Sequence, residues 1–169
     1  MDVTLVPLGR SHLGLLQELV ADPLVLRFTR IPNPPPAGFA STWLAAYEQG
    51  KADGTREGFA VVVDGNPAGI GVVVDINRDT STLELGYVVA AHARGRGIAT
   101  ATLRELTRWV VETLDPERIE LVIGVDNVAS SRVAARSGYS LEGVLRNRYV
   151  KPGLREDTQI WSLVRSDRR

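Results

Sequence analysis

A chain of 169 residues, 44% hydrophobic and 24% charged, has the size and balance of one globular domain around one sizeable core. Its 20 basic and 20 acidic side chains cancel, so bulk charge points to neither nucleic acid nor an anionic membrane, although local basic turns can still bind small anions. The lack of cysteine excludes disulfides, thiolate metal sites and a cysteine nucleophile, and two histidines (His12, His92) give no basis for a metal centre.

No signal-peptide pattern opens the chain, and no apolar run approaches the ~20 residues of a membrane span, so a cytoplasmic protein is expected. Val3 to Leu8 alternates as a first strand, stopped by Pro7 and Gly9. Ser11 is placed to cap a helix carrying Leu13, Leu16, Leu19 and Val20, which should end near Asp22-Pro23. In the next segment, VLRFTRIPNPPPAGFAS, the prolines at 32 and 34–36 exclude a helix interior or a central strand. A loop is expected there, leading into a helix around Ala37–Gln49 with Trp43, Leu44 and Tyr47 as its large groups. Gly58–Val63 and Ala68–Ile76 read as strands around Asp64-Gly65-Asn66-Pro67, a hairpin signal, and Asn77–Thr82 is a second polar turn.

The informative stretch follows. Leu83–Val89 (LELGYVV) suits a buried strand broken only by Glu84 and Gly86, and Ala101, Leu103, Leu106 and Trp109 are spaced to line one side of a helix. Between them lies the basic, glycine-containing turn Arg94-Gly95-Arg96-Gly97-Ile98-Ala99. Glycines allow close backbone approach, N–H groups at a helix start attract anions, and two arginines add full charge, so a phosphate-bearing ligand fits. The alternative is a solvated turn with a glycine hinge. A dinucleotide fingerprint would need glycine where Thr100 stands, and the Gly-Lys-Ser/Thr of a P-loop occurs nowhere.

The helix should run to about Thr113, where Asp115-Pro116 breaks it. Arg118–Val125 is a further strand, Val128–Ser137 a short helix with Gly138 just past its end, and Tyr139–Leu145 a strand continuing to Val150. Lys151-Pro152-Gly153 reads as a turn, Asp157–Val164 as the last strand, and the tail SDRR as frayed. Repeats and a second domain are not visible, which leaves one domain over residues 1–169.

Arg94-x-x-Gly97-x-Ala99 after a strand resembles the pyrophosphate loop of the GNAT superfamily of N-acetyltransferases. A second match, Asn127-Val128-Ala129-Ser130 followed by Gly138-Tyr139-Ser140-Leu141-Glu142-Gly143, resembles the N-x-x-S…G-F-x-x-E-G pattern of its ribosomal-protein-alanine acetyltransferases (RimJ/RimL type), with Tyr139 in place of Phe. The resemblance runs from the first strand to Trp161 and is weakest between residues 24 and 57. It implies an α/β fold with a mixed, mostly antiparallel sheet of about seven strands and about four helices. It also implies acetyl-CoA as co-substrate, no metal, and direct acetyl transfer to an amine-bearing acceptor, with the Pro-rich segment as one wall of the acceptor pocket.

The implied roles are specific. Glu84 would act as base on the acceptor amine, its basicity raised by partial burial; the alternative is an edge carboxylate with no role. The tyrosine that protonates the thiolate in many members is replaced by Ala134, and the pattern points instead to the hydroxyl of Ser130, whose alternatives are a helix-terminal hydrogen bond or a small contact. The backbone of Tyr87, Val88 and Val89 would face pantetheine, and the turn Arg94, Gly95, Arg96, Gly97, Ile98, Ala99 and Thr100 the pyrophosphate. Asn127 would bond the pantetheine or adenosine arm, or else serve as a turn residue and N-cap. One of Arg132 and Arg136 would meet the 3′-phosphate, or else both sit on a solvated helix face. Related proteins are often homodimers; the residues leave oligomeric state open. Two readings compete with transfer to a peptide or protein N-terminus: the same fold acting on a small-molecule amine or with another acyl group, and a non-catalytic acyl-CoA-binding domain.

Overall fold

The computed structural model describes residues 2–168. Seven strands, β1 (Val3–Pro7), β2 (Glu57–Val63), β3 (Asn66–Asn77), β4 (Thr82–Val89), β5 (Arg118–Gly124), β6 (Ser140–Lys151) and β7 (Leu154–Val164), form one sheet in the order β1-β2-β3-β4-β5-β7-β6. Its helices are α1 (Leu13–Ala21), α2 (Pro23–Phe28), α3 (Phe39–Ala52), α4 (Ile98–Leu114) and α5 (Val128–Arg136). Strand period two divides β4 cleanly: Leu83, Leu85 and Tyr87 pack into the core on the α4 side, while Val88 joins the cluster on the other face. On the α4 side Leu103, Leu106 and Val110 bury against Phe59, Val73, Ile119 and Leu121. On the other, Leu15, Leu16 and Leu19 of α1 and Leu44 of α3 bury against Ala60 and Ile70. Helix α4 sits close because β3 offers Gly71, where a Cβ would come within 2.8 Å of the Leu106 side chain.

Every neighbouring strand pair is antiparallel except β4 and β5. That parallel pair holds only through Thr82–Arg118, Leu83–Ile119 and Glu84–Glu120. Beyond it Leu85–Val89 and Leu121–Gly124 have no ladder between them, and the sheet forks. A bulge coincides with the fork point: Val73 pairs with Leu85 and Asp75 with Glu84, which leaves Val74 as the extra residue. Bulges bend a strand and re-aim its neighbours, and here the bend lies beside Glu84.

Several local expectations change. Asp22-Pro23 does not only end a helix; it starts α2, the fifth helix, because Pro23 is tolerated in the first helical turn and the Asp22 carboxylate accepts from the N–H groups of Leu24 (2.8 Å) and Val25 (3.4 Å). Ser11 is no cap: it lies inside a one-turn 3-10 helix, Arg10–His12, and α1 starts without a side-chain cap. The hairpin turn is Asp64-Gly65 alone, both at positive φ (51° and 78°), and Asn66 and Pro67 already belong to β3. Lys151 is not a turn residue but pairs with Leu154 and is 5% exposed. Its ammonium donates to the carbonyls of Leu26 and Ile31 (2.8 Å to the latter), fastening the end of α2 and the chain beyond it to the β6–β7 hairpin. In the tail Arg165–Arg168 forms a 3-10 turn, held by Arg165 on Asp115 (2.7 Å) and Arg168 on the Pro116 carbonyl (2.6 Å); Arg169 lies outside the described residues.

Candidate active site

A cavity of about 400 Å³ opens in the fork, with Glu84, Gly86, Tyr87 and Val88 on one branch and Leu121–Gly124 on the other. Asn127 and Ser130, at the start of α5, line the same space. Past the cavity's upper branch and the short 3-10 helix Ala91–Ala93, the groups open to a ligand are largely main chain. Gly95 and Gly97 take positive φ (76° and 79°), a conformation that glycine adopts without strain, and Gly97 is the residue that opens α4. No side chain caps that 17-residue helix, so the N–H groups of Ile98, Ala99 and Thr100 in its first turn have no acceptor within the helix. Helix dipole and free donors together fit a pyrophosphate, and the unpaired branch of β4 leading to this turn fits the amides of a pantetheine arm.

The two arginines of the turn are used differently. Arg94 folds back: Nε donates to the Val89 carbonyl (3.1 Å) and Nη2 to the Asp22 carboxylate (2.5 Å). Burial pushes the Asp22 carboxyl up, but the Arg94 hydrogen bond, the two N-cap donors and the guanidinium charge outweigh it and hold it below its ordinary value. The charge of Arg94 thus braces the turn against α2. Arg96 is half exposed, 3.9 Å from Asp64, and remains free to meet an anion.

At α5 the Asn127 side chain accepts from the Ser130 N–H (3.2 Å), so it is the N-cap of the helix and lines the cavity at once. The Ser130 hydroxyl lies 2.7 Å from the Tyr87 hydroxyl. Burial pushes the Tyr87 phenol up to about 12 despite that bond, so Tyr87 stays protonated and acts as a fixed partner. Neighbouring Ser131 points away from the fork, donating to Gln159 (2.7 Å), which also takes the Trp161 indole N–H (2.8 Å). Arg132 is exposed on the helix.

The opposite wall is built from side chains. Glu84, at the fork point, accepts from Arg30 Nη2 at 2.7 Å. Trp43 and Tyr47 of α3 stack at 4.2 Å between ring centroids. Burial, opposed by Arg56 and assisted by Glu84, pushes the Tyr47 phenol up to about 12. Arg27 bridges Glu156 (2.8 Å) and Asp126 (3.1 Å), tying α2 to the end of β5 and to β7.

Residues 2–140 match the acetyltransferase (GNAT) domain family. The chain belongs to that family. Over 151 residues (89% of this chain, 80% of the relative) it is 24% identical to the spermidine N(1)-acetyltransferase of Escherichia coli K12. Over 95 residues (54% and 53%) it is 27% identical to that organism's ribosomal-protein-serine acetyltransferase. The chain spans about half the length of several curated relatives, 58% and 46% for two from Bacillus subtilis. The solved RimL ribosomal L7/L12 alpha-N-protein acetyltransferase in complex with coenzyme A superposes with a TM-score of 0.87 at 20% identity, covering 97% of this chain and 94% of that one. The GNAT fold expected from sequence is therefore present, with seven strands and with five helices instead of four.

Within this GNAT domain the fork brings Glu84, Tyr87, Val88, Asn127 and Ser130 to one cavity, whereas Val89, the 94–100 turn (reached through the 3-10 helix Ala91–Ala93) and Arg132 do not line it. Arg94 departs from expectation by spending its charge on Asp22, while Glu84 is partly buried as expected and in addition faces the Arg30 guanidinium. Ala134, where many family members have tyrosine, is fully buried in the core. Lining groups that the sequence did not mark include Arg30, Arg56, Arg148, Glu156, Tyr47 as a polar group and the Tyr87 hydroxyl. Tyr47 and Tyr87 read as core aromatics, and Arg30 was hidden in the Pro-rich segment, with no local pattern to mark it.

Proposed function

We propose that this domain is an acetyl-CoA-dependent N-acetyltransferase that moves the acetyl group directly to the α-amine of a peptide or protein N-terminus, with residues 1–169 acting as one catalytic unit. The observation that supports it most is the fork, where a carboxylate at its vertex and main-chain donors along its upper branch share one cavity with the Ser130 hydroxyl. Bound acetyl-CoA would supply the acyl group as a thioester, whose C–S bond gives way to the new N–C bond. The residues do the rest. The free N–H groups of the 94–100 turn and Arg96 hold the pyrophosphate, and the β4 edge orients the arm. Glu84 accepts the proton of the attacking amine on the oxygen that Arg30 leaves open, and Ser130, held by Tyr87, donates a hydrogen bond to the departing sulfur.

An α-amine suits one carboxylate already shared with an arginine. With a pKa of ~8 its neutral form costs under ~1 kcal/mol at pH 7.5, against roughly 4 kcal/mol for a lysine amine at ~10.4. The similarity to a spermidine N(1)-acetyltransferase over most of the chain supports a second reading, in which a small-molecule amine is the acceptor. Steady-state assays separate the two. Acetyl transfer to a peptide beginning with Ser or Ala, lost when its N-terminus is blocked, is the expected result. Turnover confined to a blocked, lysine-containing peptide, or to small amines, would reject the N-terminal acceptor.

A further inference from the structure

Charge on the acceptor side of the cavity is one-sided. Three guanidiniums, Arg30, Arg56 and Arg148, line it against two carboxylates, Glu84 and Glu156. Both carboxylates are already paired, Glu84 with Arg30 at 2.7 Å and Glu156 with Arg27 at 2.8 Å. Arg56 lies over the Tyr47 ring at 5.6 Å, and among the described residues neither it nor Arg148 has a carboxylate within ion-pair reach. Arg148 stands directly across the β6–β7 ladder from Glu156, which leaves Arg56 as the lining guanidinium without a facing carboxylate, and an uncompensated charge in a concave, aromatic-walled space favours an anionic guest and opposes a polycation.

Arg56 belongs to the acceptor, not to the phosphates of the co-substrate. Arg56 directly precedes Glu57, which pairs with Val73, which pairs with Leu85, so Arg56 is level with Glu84 across the sheet. Val89, where β4 hands over to the glycine turn, is five residues farther along, about 17 Å at strand rise. Two strand spacings, ~10 Å, separate the Arg56 backbone from β4. An extended chain whose amine rests at Glu84 advances ~3.4 Å per residue, so the side chains of its second and third residues pass within reach of Arg56. A free amino acid has its carboxylate two bonds from its amine and can meet only Arg30.

We infer that the acceptor is an acidic N-terminus, with a carboxylate side chain at its second or third residue taken by Arg56 while the amine sits at Glu84. This rests on the N-acetyltransferase reading and narrows its substrate class. The test measures kcat/KM for peptides beginning Ser-Asp-Glu and Ser-Lys-Lys but otherwise identical, for free serine and for spermidine. The acidic peptide should lead the basic one by about tenfold or more at low salt, with the gap closing as ionic strength rises. Arg56→Glu, checked for unchanged melting and coenzyme A affinity, should lower turnover of the acidic peptide and raise that of the basic one. Equal use of both peptides, or preference for the basic peptide, spermidine or free serine, would overturn the inference while leaving the enzyme an acetyltransferase. Transfer to none of these amines would instead fail the underlying reading and take the inference with it.

Discussion

Two regions around the forked cavity offer a ligand different kinds of group. Along the end of β4 and, past Ala91–Ala93, in the glycine turn and the start of α4, the groups available to a ligand are mostly backbone N–H donors, set by two positive-φ glycines and an uncapped helix. Along the wall formed by α2, α3 and the β6–β7 hairpin they are long side chains, cross-linked by Arg30–Glu84, Arg27–Glu156 and the buried Lys151 ammonium. A main-chain wall suits one invariant ligand, because side-chain changes leave its donors in place. A side-chain wall can be retuned to a new acceptor by exchanging one charge. The Glu84 carboxylate stands where the two meet.

Changes on each side should therefore fail in different ways. Gly97→Pro removes a donor and forces φ near −65° where the turn needs +79°, so coenzyme A binding should disappear by calorimetry in protein whose circular dichroism is unchanged. Unchanged affinity in that folded variant would break the division. Tyr87→Phe sharpens it: losing the 2.7 Å partner of Ser130 should lower kcat roughly five- to tenfold, about the worth of one hydrogen bond, with KM for both substrates held. In a Ser130→Ala background Tyr87→Phe should cost nothing further, and an additive double mutant would show that the two hydroxyls act separately.

A third change, on neither wall, serves as a control. Arg118 grips Glu142 through two hydrogen bonds (2.7 and 2.6 Å), and with the Ser162 hydroxyl it lowers the Glu142 carboxyl from 4.5 to about 2. A carboxyl lowered in the folded state stabilises it fully above pH 4.5, and that contribution is lost as pH falls towards 2. Because the Glu142 side chain is 44% exposed, screening limits the contribution to ~1 kcal/mol or less. Glu142→Gln should flatten the acid limb of a thermal-melt profile between those pH values and leave turnover at neutral pH unchanged.

The main-chain wall was legible in the sequence and the side-chain wall largely was not, for the same reason that they behave differently. Gly95, Gly97 and the amphipathic run to Trp109 lie within one stretch, and local chemistry is enough to read a strand, a turn and a helix start. Glu84 also stood out, as a charge in an apolar strand. Its partner Arg30 is 54 residues away, and Lys151 reaches a carbonyl 120 residues away, contacts that no local period encodes. The fork itself is a tertiary feature, since it depends on β5 pairing with only the first three residues of β4. Helix α2 was missed because Asp-Pro signals both a stop and a start, and only the Asp22 bonds to Leu24 and Val25 decide between them.

The meeting point of the walls offers the most direct test. In Glu84→Gln, the coenzyme A dissociation constant should stay within about threefold of wild type, while single-turnover acetyl transfer to a Ser-initiated peptide falls ~10²–10⁴-fold, the range for a lost general base. The deficit should shrink as pH rises past ~8, where the α-amine is neutral without help. Loss of coenzyme A affinity matching the loss of rate, or transfer at the wild-type rate at every pH, would contradict the assignment of Glu84 to the acceptor amine.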